Sequence, residues 1–546
     1  MRYRAVAALS LIIFHSACGS DSSTGTSSTP PATTCTVSSV SVSASSTTVA
    51  QGAPSNLTAT VSATQSCTGG VTWSTTGGTV VGNGLTATFA STTPGTFVVT
   101  ATSMADATKS GSVSITVTAP VLACGTANGT TVAHTANINA NETWAGDGVT
   151  HVVTNDITIG SNAVVTVQPC AIVSLGNTTN INVNGTAHFV AAGTSATRFV
   201  LFKRNNANQA WGTIRGVSGT SLIDFTWTTL QGGGNFGGMN NPTIAASGNG
   251  YSSVPAPVIR VNNVTIQGSQ GVGVYLDGNA GFTSDSHLLT ITGSGDRPVN
   301  TTMMSLGTLP DGSYTGNANN EILIFGPNAN VFADMTVGDF GVPIRVPYGG
   351  MNIAPPGGTA GTVTLTVKPG VVFKFPKLPP NQPGARVTFG GNGNAPNNPV
   401  GVLNAIGTPS DPIIFTSGET NPAPGDWIGI WLNTATGSRL DYVEISYAGA
   451  ASGVVSASCK PANTSDQAAL LVGDFSTQYV PPSNLITNSK LTNSAGYGIN
   501  AMWQANIFNS VDLTQTNTFT NNARCKQTYN GLTSGVCPVG GGCTVP

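Results

Sequence analysis

Two aspartates occupy matching places in a repeated passage. Asp224 lies in AWGTIRGVSGTSLIDFTWTTLQGG, from Ala210 to Gly233, and Asp441 in DWIGIWLNTATGSRLDYVEISYAG, from Asp426 to Gly449. A pair of carboxyls within about 10 Å of one another can cleave a glycosidic bond, one as acid and the other as base or nucleophile. Trp211 and Trp427, which open the two passages, are of the type that stacks on sugar rings. Asp441 with Glu444 is a second, local acid pair. Residues three apart on a strand point to opposite faces, however, so that pair needs a bulge to cooperate. The histidines, His15, His134, His151, His188 and His287, show no metal-ligand spacing, and no GxSxG, HExxH or GxxxxGK[ST] motif occurs. No cofactor or metal is implied.

Composition limits the chemistry further. Only 7% of the 546 residues are charged and the formal net charge is -2, so there is little material for acid–base work and no basic stripe for nucleic acid. Abundant Gly, Ser, Thr and Asn with short Val/Ile/Leu/Phe runs predict an all-β chain. At this length it is several domains or a long repeat array.

The first residues, MRYRAVAALSLIIFHSACGS, combine two arginines, an apolar run of about ten residues and small residues before Cys18. That run is too short to span a bilayer, and it reads as an export signal. It resembles a bacterial lipoprotein signal (1–18) with Cys18 as the lipid-attachment residue, although His15 departs from the leucine usual at that place. Residues 19–34 are a Ser/Thr/Pro linker. Eight cysteines remain: Cys35, Cys67, Cys124, Cys170, Cys459, Cys525, Cys537 and Cys543. An even count in an exported chain predicts disulfides. Order along the chain favours Cys35–Cys67 and Cys124–Cys170, and leaves three connectivities for the last four.

Residues 35–119 alternate apolar and polar in short runs separated by turns, the pattern of a β-sandwich. Gly52, Leu57 to Val61, Val71 to Trp73 and Gly95 to Ser103 resemble the order of motifs in bacterial Ig-like group 2 (BIG2) domains, which implies a surface spacer or adhesive module with Trp73 in its core.

Beyond residue 119, blocks recur in unchanged order. ETWAGDGVTHVV (Glu142) matches DMTVGDFGVPIRV (Asp334), and TVQPCAIVSL (Thr166) matches TVKPGVVFKF (Thr366). GTSATRFVLF (Gly193) matches GTPSDPIIFT (Gly407), the tryptophan passages follow, and NNVTIQGSQGVGV (Asn262) matches TNSKLTNSAGYGI (Thr487). Collinear blocks with slowly growing offsets are a duplication whose second copy acquired insertions, among them the Gly/Asn/Pro-rich stretch after Pro380. Short strands between turns, with few two-residue Asn-Gly loops, predict stacked coils rather than hairpins.

The ordered set LTVKPGVVFKF, GDWIGIWL, SRLDYVEISYAG and ITNSKLTNSAGYGI resembles right-handed parallel β-helix proteins of bacterial surfaces. The duplication gives a first copy over 120–335 and a second over 336–524, and the Cys-rich segment 525–546 is expected to cover the end of the rod. In a duplicated array Asp224 and Asp441 are equivalent structural positions near turns, many coils apart, and Trp211 and Trp427 cover the coil interior. The expected function is a cell-surface or outer-membrane protein, lipid-anchored or else secreted, that binds a surface glycan or an extracellular matrix component. The alternative is a carbohydrate-active β-helix enzyme, a lyase or glycoside hydrolase.

Overall fold

The computed structural model describes residues 35–64, 69–118, 124, 127, 129–217, 219–248, 250, 255–326, 329–377, 385–390, 399–433, 436–451, 467–473, 481–501 and 511–527. The chain divides into two compact units, Met1–Val121 and Leu122–Pro546.

In the first unit the alternating runs form two four-stranded sheets. One has the order Val37–Ala44, Ser55–Ala63, Thr86–Ala90, Thr79–Asn83, and the other Thr48–Ala50, Ser110–Thr118, Gly95–Ser103, Val71–Thr75. All pairs are antiparallel except Thr48–Ala50 against Ser110–Thr118. Leu57, Ala87 and Phe89 of one sheet and Val99, Ile115 and Val117 of the other share one core, so the two sheets are a sandwich. Trp73 is half-buried at its edge and donates to the Gly84 carbonyl at 3.2 Å.

The second unit is a solenoid in which every pairing between named strands is parallel. Each coil of the first copy contributes three strands in turn, as in Glu142–Trp144, Thr150–Val153 and Ile157–Ile159. These pair with Val164–Val167, Ile172–Leu175 and Ile181–Val183 of the next coil. Inward positions alternate with outward ones, as the period-two pattern requires. The inward side chains form a single apolar core from Ile138 to Leu513, with Phe189, Phe202 and Phe225 packed at 5.5–5.8 Å between ring centres. Thirteen strands stack in the longest sheet, which at ~4.8 Å per step is about 58 Å.

That sheet also shows how the copies are joined. Its first seven strands, Ile157–Ile159 to Ile322–Ile324, are the third strands of first-copy coils. The remaining six, Ile344–Arg345 to Thr518–Thr520, are the second strands of second-copy coils. The second copy is therefore turned by one face relative to the first, and equivalent residues look out in different directions. At the junction the buried helix Met303–Leu306, capped by Thr302, takes the place of a strand between Ala280–Phe282 and Ala329–Val331.

The stretch after Pro380, read from sequence as an insertion, is partly a regular element. Arg386–Phe389 is a core strand between Met351–Ile353 and Gly429–Leu432, with Val387 and Phe389 fully buried. Cys124 is bonded to Cys170, and Cys35 and Cys525 are also disulfide-bonded. Cys18, Cys67, Cys459, Cys537, Cys543 and most of the Cys-rich segment lie outside the described residues.

Candidate functional site

The corners between first and second strands set the frame for the site. The ten-residue strand Leu222–Gln231 turns at Trp227, which has φ 41°, and the next two coils turn at Asn263 (56°) and Leu288 (55°). In the second copy the corner falls at Tyr442 (49°) and then Asn488 (50°). Left-handed backbone costs an L-residue roughly 1–2 kcal/mol and is normally left to Gly or Asn. Bulky Trp227, Tyr442 and Leu288 at these corners are outliers of the kind that collects at functional sites.

The corners correct the alignment of the aspartates. Five residues past each lies another left-handed residue, Gly232 after Trp227 and Tyr447 after Tyr442, so the two corners are equivalent. Asp224 stands three residues before its corner and Asp441 one before. A slip of two residues keeps a side chain on the same face, so alternation alone cannot detect it. Neither carboxylate serves turn amides. Asp224 pairs with Arg260 of the next coil at 3.0 Å, and Arg260 continues to Asp285 at 2.8 Å. Asp441 accepts from Thr487 and Asn488 of the next coil at 2.8 and 2.9 Å and faces Arg439 at 3.4 Å. Burial acts to raise the Asp441 pKa, but these partners outweigh it and the carboxyl lies below its ordinary value. Glu444 lies across the corner on a different sheet, ion-paired with Lys490. Asp441 and Glu444 do not converge.

Trp211 and Trp427 are fully buried and cannot stack on a glycan. Each indole N–H donates to the carbonyl four residues past a corner, Gln231 at 2.8 Å and Ser446 at 2.9 Å, and Trp427 lies 4.2 Å from Phe375. They are equivalent pillars of the two copies.

Trp227, by contrast, is a half-buried aromatic at a corner. It lines a groove of about 820 Å³ that runs across the second strands of the first copy. The floor is a column of hydroxyls, Thr229, Thr265, Thr290 and Ser313, in register on four successive coils and so ~4.8 Å apart. Asn263 and Leu288 continue the rim, with Leu288 46% exposed, and the exposed carboxylates Asp311 and Asp339 line the same groove. The sequence does carry a signal for the corner: inward Phe225 and Leu230 are an odd number of residues apart, so the alternation must break between them.

A second cluster carries no such signal in the sequence. His134 and His151, 8% and 2% exposed, are 2.9 Å apart, Nε2 to Nδ1, on the paired strands Thr131–His134 and Thr150–Val153 at the start of the solenoid. His151 Nε2 reaches the Ala145 carbonyl at 2.9 Å, and His134 Nδ1 reaches Glu142 Oε1 at 3.0 Å. Trp144, whose ring centre lies 4.1 Å from that of His134 and 5.3 Å from that of His151, also donates to Glu142 Oε1. Burial pushes both imidazoles below their ordinary pKa, and the Glu142 charge opposes it. Among the described residues no group of three or more His, Cys, Asp or Glu is arranged to hold a metal.

The chain matches no protein-family model and no curated protein sequence. What it does must be argued from its own surface.

Proposed function

We propose that this is an exported surface protein whose solenoid binds an extended glycan across the threonine-lined groove, lipid-attached through Cys18. Its N-terminal sandwich is read as a BIG2-type Ig-like domain and its solenoid as a right-handed β-helix. The observation that carries the binding reading is Trp227, a half-buried indole kept in left-handed backbone at the rim of a groove floored by evenly spaced hydroxyls. A ring face at the rim and a column of donors and acceptors below it suit a pyranose chain, which offers apolar ring faces and hydroxyl edges.

Affinity electrophoresis of the full mature chain against a polysaccharide panel tests this. Trp227→Ala should weaken retention about tenfold, the loss of one ~1.4 kcal/mol aromatic anchor, while Asp441→Asn, outside the groove, should retain binding. Failure of the wild type to retain any polysaccharide would sink the reading. The presence of Asp311 and Asp339 in the same groove supports an enzyme as the second reading. Release of new sugar ends by wild type that disappears in folded Asp311→Asn would establish it.

A further inference from the structure

Beside the hydroxyl column runs a second column on the same strands, two residues further along. Gln231, Gln267 and Thr292 stand in register on successive coils, and Lys203 continues the row on the coil before. At its Lys203 end lies a cavity of about 630 Å³, lined by Lys203, Arg204, Asn205, Gln231 and Gln267 with no carboxylate.

Three groups there are uncommitted. The side chains of Lys203, Gln231 and Gln267 make no hydrogen bond or ion pair among the described residues, and all three are half-buried. Arg204 supplies a fixed charge. Its guanidinium donates to the carbonyls of Gly232 at 3.0 Å, Ala207 at 3.1 Å and Gly268 at 3.3 Å, and it meets no acid among the described residues. A Cβ at Gly232 would fall 1.9 Å from Arg204 Nε, so the glycine is what allows the guanidinium to lie over the corner.

Two half-buried cations, one of them pinned by three neutral acceptors, create a positive potential that nothing in the cavity cancels. The Lys203 ammonium and two free amides converge on it as donors. We propose that this cavity is an oxyanion subsite, taking a carboxylate or sulfate substituent of an acidic glycan whose backbone lies along the neighbouring hydroxyl column. Arg204 sets the potential as a positioning residue, Lys203 contacts the anion, and the glutamine amides orient it. The acids of the groove do not oppose this. Asp311 lies about four coils from Lys203, or ~19 Å, which exceeds the ~8 Å Debye length at physiological salt.

The inference deepens the glycan reading, and the test separates the two. The full mature chain is titrated with a polyuronate, a sulfated polysaccharide, a neutral glucan, free glucuronate and inorganic sulfate, at low and at physiological salt. We expect the two acidic polymers to bind more tightly than the neutral glucan and to weaken with salt. Lys203→Gln should reduce their affinity about tenfold and leave neutral-glucan affinity unchanged. Equal affinity for acidic and neutral polymers, or no change in Lys203→Gln, overturns the subsite and leaves the glycan reading standing. Binding of glucuronate or sulfate without any polymer, lost in Lys203→Gln, upholds the anion site and removes the glycan reading. Retention of none of the five removes both.

Discussion

Acid should loosen the first coil of the solenoid before the rest. Since the Ala145 carbonyl can only accept, His151 carries its proton on Nε2, and its Nδ1 accepts from His134 Nε2–H. Neutral His151 thus uses both nitrogens, whereas a second proton would set donor against donor at a side chain 2% exposed. Burial accordingly holds its pKa below the ordinary value, while the same group in the unfolded chain titrates near 6.5. Below about pH 6.5 the unfolded state binds more protons than the folded one. Stability is therefore complete above about pH 6.5 and falls by ~1.4 kcal/mol per pH unit beneath it, until His151 itself titrates in the fold. His134 is displaced in the same direction, chiefly by burial, but with Nε2–H committed to His151 its Nδ1 faces the Glu142 carboxylate, a contact that favours the charged ring, so the slope counts His151 alone. No other titratable side chain enters from the strands stacked on this coil, Val164–Val167 and Ile172–Leu175. Native-state hydrogen exchange over Thr131–Val153, corrected for intrinsic rates, reads the local opening free energy directly. It should be level from pH 8 to 7, decline below 6.5 with the single-histidine slope, and flatten in His151→Gln. Level protection down to pH 5 would refute the argument, since it would mean that the Glu142 carboxylate outweighs burial and keeps an imidazolium in the fold.

Trp211→Ala and Trp427→Ala should each destabilise the solenoid by about 3–5 kcal/mol and by similar amounts, as both remove a fully buried indole and leave one carbonyl unserved; denaturant unfolding checks this. Cys124→Ser with Cys170→Ser opens a 46-residue loop and should cost about 4 kcal/mol of chain-entropy stabilisation, measured as the difference between the variant and the oxidised wild type.

Much of this architecture could be read from residue order. Alternation in GTVTLTV became Gly361–Val367 with Val363, Leu365 and Val367 inward, and the block pair containing Trp211 and Trp427 placed two indoles in equivalent surroundings. Reading failed where the answer depends on coil length, which the sequence does not mark. His134 and His151 are 17 residues apart and touch only because one coil carries the second onto the first. Asp224 and Asp441 matched in letters, yet corner geometry sets them two residues out of step. Arg386–Phe389 looked like an insertion because its Gly- and Pro-rich flanks mask four residues of core strand. Repetition marks the buried pair Trp211 and Trp427, whereas the place of Trp227 at a corner shows only in its backbone angle.

The one-face turn between the copies has a mechanical consequence. A simple head-to-tail repeat would leave a seam at which each of the three walls ends and a new one begins, a natural place to shear. Here the thirteen-stranded wall passes through the junction without a break, from Ile322–Ile324 to Ile344–Arg345, while the other two walls change over beside it. Tension along the stack is carried across the joint by an uninterrupted ladder of backbone hydrogen bonds, so under load the copies should yield together and not peel apart as separate halves.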